Sequence, residues 1–232
     1  MRISAIMAAY NAGPYIAEAL DSMLSQTRPA DEIIVVDDGS TDETAEVLRR
    51  YAARVTVLSQ QNSGPAHALN VGVSAAQGDA FAFLDADDLW VPEKLEIQVA
   101  ALCSDPALEA VFGAIQQFVS PELDAATART FAIPDAPQPG ISKTAMLIHR
   151  CAFLRIGPFD ERQTAADFVD WYARASGLGL RFRVLPQVVT WRRQHRDNLG
   201  RRRRADQHDE LLQSLKRALD LRRANRKPGS ST

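Results

Sequence analysis

Four short apolar runs, each stopped by a polar turn and followed by apolar residues at helical spacing, constrain the first hundred residues more than any other feature. Ile3–Ala9, Glu32–Val36, Val55–Ser59 and Ala80–Leu84 are too short for helices and read as buried strands. Between them, Pro14–Ser25 carries Ile16, Leu20, Met23 and Leu24 on one helical face. Thr41–Tyr51 opens on a Ser40/Glu43 capping box and closes on Arg49 and Arg50, which suits the helix dipole. Pro65–Ala76 is a third helix ended by Gly78, and a fourth starts at Pro92 and runs to about Cys103. This alternation predicts an α/β fold: a Rossmann-like, mostly parallel sheet sandwiched between helices. Right-handed crossovers put every βα turn at one edge, where ligands bind. The turns at Ala8–Asn11, Asp37–Ser40 and Asp85–Asp88 are therefore expected to meet at one crevice.

The rest of the chain is less regular. Glu109–Val119 reads as a strand and Ser120–Gly140, with Pro121, Pro134, Pro137 and Pro139, as a long loop. Ala166–Ser176 reads as a helix, Arg181–Val189 as a strand, Asp206–Arg223 as an amphipathic helix and Lys227–Thr232 as a frayed tail. Residues 1–105 and 106–200 are expected to form the two halves of one domain, and 201–232 a basic helix and tail. From Arg181 to Lys227, fifteen Lys/Arg stand against five Asp/Glu, so this part is expected to meet something anionic. Cys103 and Cys151 match no zinc or CxxC spacing and are expected as two buried thiols in a reducing compartment. The N-terminal apolar run is too short for a signal peptide, and no segment has the length of a membrane span, so a cytoplasmic chain is expected.

Asp85-Ala86-Asp87-Asp88 directly follows an apolar strand. Three carboxylates in four residues repel one another unless a cation is present, and hard oxygen ligands suit Mg2+ or Mn2+. An exposed acidic turn that caps the next helix is the competing account, and the βα context weighs against it. Asp38, at the end of the second strand, can accept hydrogen bonds from a base or a ribose while Ser40 and Glu43 serve the cap. Tyr10 can stack on a base or pack into the core. There is no GxGxxG and no Walker A run, and Gly177-Leu178-Gly179 is an ordinary αβ turn, which argues against a dinucleotide dehydrogenase and a P-loop ATPase.

Ala5–Asn11 with Gly13, Ser25-Gln26-Thr27, Glu32–Thr44, Asn62-Ser63-Gly64-Pro65-Ala66 through Asn70, Gly78-Asp79 and Phe83–Asp88 together resemble family 2 glycosyltransferases of the GT-A fold. The resemblance covers about the first 105 residues and thins afterwards. It implies an inverting transfer of a sugar from a nucleotide-diphospho-sugar, a UDP-sugar first, to a hydroxyl of a glycan, lipid-linked or peptide acceptor, with a divalent metal, Mn2+ or Mg2+, as cofactor. It assigns donor contacts to Ala8, Tyr10, Asp38, Gly64, Asn70, Asp85 and Ala86, the metal to Asp87, and a second ligand to Asp88. Leu69 departs from the pattern, which often has Arg there.

Further on, Gly157-Pro158-Phe159-Asp160-Glu161 resembles the family's G-x-F-D-E segment, which precedes a Glu-Asp pair whose Asp is the catalytic base. Asp167 matches that base, but Ala166 replaces the Glu, which leaves Asp170 as an alternative. Helix capping is the plain role for Asp167. His195, in Trp191–Asn198, resembles a C-terminal His that reaches the metal or diphosphate. Arg201–Arg204 is either a solvated charge run or a contact for anionic lipid headgroups or a phosphate-bearing acceptor at a membrane surface. No nucleic-acid motif accompanies it. Two other functions share parts of this pattern. A nucleotidyltransferase would want a basic loop after the first strand, which Asn11-Ala12-Gly13 is not. A non-catalytic sugar-nucleotide-binding protein would explain Ala166.

Overall fold

A computed structural model describes residues 1–163, 166–196 and 198; Arg201–Arg204, the Asp206–Arg223 helix and the Lys227–Thr232 tail lie outside them. Four strands, β1 (Ile3–Ala9), β2 (Glu32–Asp37), β3 (Thr56–Ser59) and β4 (Ala80–Asp85), pair in parallel in the order β3-β2-β1-β4, as the alternation predicts. Helices α1 (Ile16–Leu24), α2 (Thr44–Tyr51) and α3 (Pro65–Ala75) connect them. The two-residue strand β5 (Leu89–Trp90) and helix α4 (Lys94–Ser104) follow.

The second half continues the same sheet. Strand β6 (Ala110–Val119) is followed by helix α5 (Ala125–Ala128) and strand β7 (Gln138–Pro139), two short elements inside the segment expected as a loop. A 3-10 turn, Lys143–Ala145, leads into strand β8 (Met146–His149) and helix α6 (Arg150–Ile156), which the sequence pattern did not announce. Helix α7 (Asp167–Gly177) and strand β9 (Phe182–Gln194) complete the order. β8 is antiparallel to both β4 and β6, while β9 is parallel to β6 and pairs with β5 at the far edge. β9 runs to Gln194, past the expected end at Val189. Pro186 cannot donate to a ladder, and the β6–β9 register slips there from Phe112↔Val184 to Ala114↔Val188 before pairing resumes as far as Val119↔Gln194.

β1, β2 and β4 bury side chains on both faces, whereas β3, expected as a buried strand, lies at the sheet edge with Val57 and Leu58 only half-buried and Thr56 and Ser59 exposed. Met7, Ala9, Val35 and Leu84 pack under α1, α2 and α4, while Ile6, Val36, Phe81 and Phe83 pack under α3, α6 and α7. This two-sided burial is why β1, β2 and β4 read as continuous apolar runs. α7 is pinned by Trp171, which stacks on Phe153 at 5.4 Å and donates its Nε1–H to the Gly157 carbonyl at 3.0 Å. Cys103 and Cys151 are exposed, contrary to the expected burial, because Leu102 and the Ala152–Phe153 pair take the core-facing positions of α4 and α6. Among the described residues no helix is long and apolar enough to cross a membrane.

Candidate active site

Register brings the strand ends together. Ala8 pairs with Val36 on one side and Asp85 on the other, and Asp37 pairs with Ala9 and Ser59. The first two turns are zipped to each other: the Asn11 N–H donates to Ser40 Oγ at 3.0 Å, and the Thr41 N–H donates to Asn11 Oδ1 at 2.8 Å. Ser40 is thereby taken from the expected capping box, and α2 begins at Thr44 rather than Thr41. Asp42 serves that end instead, accepting the Thr44 N–H at 3.0 Å and the Gly13 N–H at 3.0 Å. A short side chain two residues ahead closes this turn more tightly than a box three residues long. Gly39 has φ +75°, and a Cβ there would stand 2.8 Å from the Asn62 nitrogen, so the turn packs on the next loop only with glycine.

Asp38 is 2% exposed and faces that next loop. Its carboxylate accepts from Gln60 Nε2, the Ser63 N–H and the Gly64 N–H, each at 2.8 Å. It therefore shapes the 60–64 segment from beneath. Asn70 is also committed within the protein. Its Oδ1 accepts the Phe159 N–H at 3.0 Å, and its Nδ2 donates to the Phe159 carbonyl at 2.9 Å and to Glu161 Oε1 at 3.0 Å, clipping α3 to the segment before α7. Tyr10 stands 52% exposed at the rim, while Ala8 is half-buried and Ala86 buried.

Around the acidic turn the side chains divide by partner. Asp87 Oδ2 lies 3.0 Å from His195 Nε2, just beyond the end of β9. His195 is held in place: its N–H donates to Asn198 Oδ1 at 2.6 Å and its ring lies 4.5 Å from that of Tyr15. Asp88 turns inward, where its Oδ1 accepts the Arg193 N–H at 2.9 Å and Arg192 Nε lies 3.9 Å from its Oδ2. Burial, reinforced by the charge of Asp87, pushes the Asp88 carboxyl well above the usual range. Asp85, at the end of β4, lies 3.7 Å from the ammonium of Lys143, and the same ammonium is 2.9 Å from Asp167 Oδ2 at the first turn of α7. Asp170 points elsewhere on that helix, paired with Arg174 Nε at 3.0 Å.

Sequence reasoning passed over Lys143, Arg192 and Arg193. Arg193 is 2% exposed and binds the site from below. It donates to the Asp87 carbonyl at 3.0 Å, to Ser120 Oγ at 3.2 Å and to Glu18 Oε2 at 2.6 Å, and lies over the rings of Tyr15 and Phe118. One signal was available: three arginines beside the singled-out histidine, at the end of a strand whose apolar neighbours demand burial. Lys143 carries no such local mark.

Comparison with known proteins agrees with this architecture. Residues 4–162 match the model of the family described as glycosyl transferase family 2. An uncharacterised glycosyltransferase of Nostoc sp. is 42% identical over 100 residues, covering 41% of this chain and 31% of that protein. The putative teichuronic acid biosynthesis glycosyltransferase TuaG of Bacillus subtilis is 44% identical over 101 residues, covering 42% of this chain and 40% of TuaG. The chain thus spans between about a third and two fifths of the curated relatives it matches here. Among solved structures, S. aureus TarS 1–349 in complex with UDP superposes with a TM-score of 0.71 at 21% identity, covering 94% of this chain and 65% of that one. The mannosyltransferase PcManGT of Pyrobaculum calidifontis, in complex with GDP-Man and Mn2+, superposes with a TM-score of 0.67 at 25% identity, covering 99% and 76%. The fold is the GT-A fold, and the chain belongs to glycosyl transferase family 2.

Proposed function

We propose that the site carries an inverting, metal-dependent transfer of a sugar from a nucleoside diphospho-sugar to an acceptor hydroxyl, with Asp167 as the general base. One observation carries this reading. A single ammonium, that of Lys143, lies within 2.9 Å of Asp167 and 3.7 Å of Asp85, so the carboxylate from α7 faces the strand-end carboxylate across one small space. An inverting transfer needs one carboxylate beside the incoming hydroxyl and a second group of residues around the departing diphosphate. It needs no nucleophilic carboxylate. Asp167 meets the first need because its bridge to Lys143 also faces it to Asp85, whereas the Arg174 that holds Asp170 reaches back to the Ile156 and Pro158 carbonyls.

The residues fit a divalent cation. Asp87 Oδ2 and His195 Nε2 are 3.0 Å apart, an oxygen and a nitrogen donor that would hold Mg2+ or Mn2+ together with the donor's diphosphate. Among the described residues no group of three or more His, Cys, Asp or Glu is arranged to hold a metal by itself. When bound, the metal neutralises the charge that develops on the leaving diphosphate. Asp88 acts from behind by fixing the turn to β9. Tyr10 and the backbone at Ala8, at the end of β1, line the nucleotide side together with Gly64, whose loop Asp38 holds in shape. In the reaction the acceptor oxygen bonds to the anomeric carbon, that carbon's bond to the diphosphate breaks with its electron pair, and the hydroxyl proton passes to Asp167. The solved neighbours hold UDP or GDP-Man, and a uridine donor is taken first.

A thermal-shift screen with UDP and GDP, each with and without Mn2+, tests the donor assignment. One nucleotide should raise the midpoint only when Mn2+ is present, by RT ln(1 + [L]/Kd) in stability, and Asp87→Asn should remove the metal-dependent part. Equal shifts for both nucleotides without metal, unchanged in Asp87→Asn, would refute it.

A further inference from the structure

Lys143 sits on the 3-10 turn before β8. Because β8 runs antiparallel to β4, with Leu147 opposite Ala82, the turn ahead of β8 meets the carboxyl end of β4, where Asp85 stands. The side chain is 15% exposed. Burial disfavours its charge, yet the nearby carboxylates of Asp167 and Asp85 hold its pKa above the ordinary lysine value. Its contacts are directional: Nζ donates to Asp167 Oδ2 at 2.9 Å, while Asp167 Oδ1 accepts the Phe168 N–H at 2.8 Å. Ala166, just before Asp167, offers only a methyl group, so the carboxylates that meet this ammonium are Asp167 from α7 and Asp85 from β4. Arg192 approaches the same cluster from β9 but reaches Asp88.

We infer that Lys143 is a positioning residue: its ammonium ties Asp167 toward Asp85 and relieves the repulsion between these two carboxylates, so that the base faces the sugar end of the donor. This rests on the transfer reaction proposed above, with Asp167 as its base. Lys143 acts through Asp167 and stays clear of the Asp87–His195 pair. Its loss therefore belongs to the chemical step and not to donor binding.

Lys143→Met, Lys143→Arg, Asp167→Asn and the Lys143→Met/Asp167→Asn double variant are compared by Mn2+-dependent turnover of UDP-GlcNAc or GDP-mannose, and by urea unfolding. Lys143→Met should lower kcat by about 10²-fold, the scale of a misplaced reacting group, with KM for the donor changed by less than about threefold. Lys143→Arg, which keeps the charge but changes the fork, should recover to within about tenfold of wild type. The double variant should be no slower than Asp167→Asn alone. A Lys143→Met enzyme with wild-type kcat, an arginine variant no better than methionine, or losses that multiply would each overturn the inference. Should Lys143→Met fail to fold, Lys143→Gln against Lys143→Arg makes the same comparison. Wild type that turns over neither sugar nucleotide counts against the donors and metal proposed above instead. The unfolding cycle still decides the bridge, which stands if the two substitutions are non-additive and falls if they add.

Discussion

Asp167→Asn should lower transfer by about 10²–10⁴-fold, the range that a positioned general base contributes. The amide keeps the size of the carboxylate, but its single oxygen replaces two acceptors: set toward Lys143, it turns the NH2 group against the Phe168 N–H, so a modest loss of stability at the start of α7 accompanies the kinetic effect. What is lost is the site that takes the acceptor proton. In the proposed arrangement the donor is held by Asp87, His195 and the 60–64 loop rather than by Asp167, so nucleoside diphosphate affinity with Mn2+ should stay within a few-fold of wild type. Initial rates of diphosphate release, paired with a binding titration, check both halves. A variant that transfers at the wild-type rate would move the base elsewhere, first to Asp170, one turn further along α7 beside Arg174.

Arg193→Ala is the second large effect, and it acts on stability. Arg193 reaches a loop carbonyl, a serine and a glutamate from three parts of the chain, and lies between two aromatic rings. Glu18, its ionic partner, is itself 61% exposed and regains water on truncation, so the full penalty of a stranded buried charge does not apply. The remaining cost is a cavity beside Tyr15 and Phe118 and the unpaired Asp87 carbonyl, together about 2–4 kcal/mol. For a chain of this size that is roughly 5–15 °C in Tm. Since Arg193 also holds the turn that carries Asp87, the Mn2+-dependent part of nucleotide binding should weaken along with it. Urea unfolding measures the first effect; a loss below about 0.5 kcal/mol would show that the arginine is a bystander.

The two halves of the sheet were unequally legible, for a physical reason. β1, β2 and β4 are each local, apolar and buried on both faces, so short windows of sequence suffice to find them, and the parallel register then sets Asp85 beside Ala8 and Asp37 beside Ala9, the next residue along β1. β8 is four residues long and passes at once into α6, without a glycine or proline between, so nothing in Met146–Ile156 marks a strand or a reversal of direction. That unmarked reversal is what delivers Lys143 to Asp85. Competition for one hydroxyl explains the miss at α2: Ser40 suits a helix cap by pattern, but the neighbouring strand's Asn11 N–H reaches it first. The partners of Asp38 and Asn70 were not legible either: the 60–64 segment and the Phe159–Glu161 segment reach them through tertiary contacts that local sequence does not encode.

In the proposed site the acidic turn reaches the donor's diphosphate through a cation shared with His195. Pulsed electron paramagnetic resonance of Mn2+ bound with UDP, or with GDP if the thermal screen selects it, reads this directly. Both a phosphorus coupling from the nucleotide and an imidazole nitrogen coupling are predicted, and His195→Gln should remove only the nitrogen signal. Phosphorus coupling with no nitrogen coupling in the wild-type protein would mean that His195 does not touch the metal, and would contradict the arrangement proposed for the site.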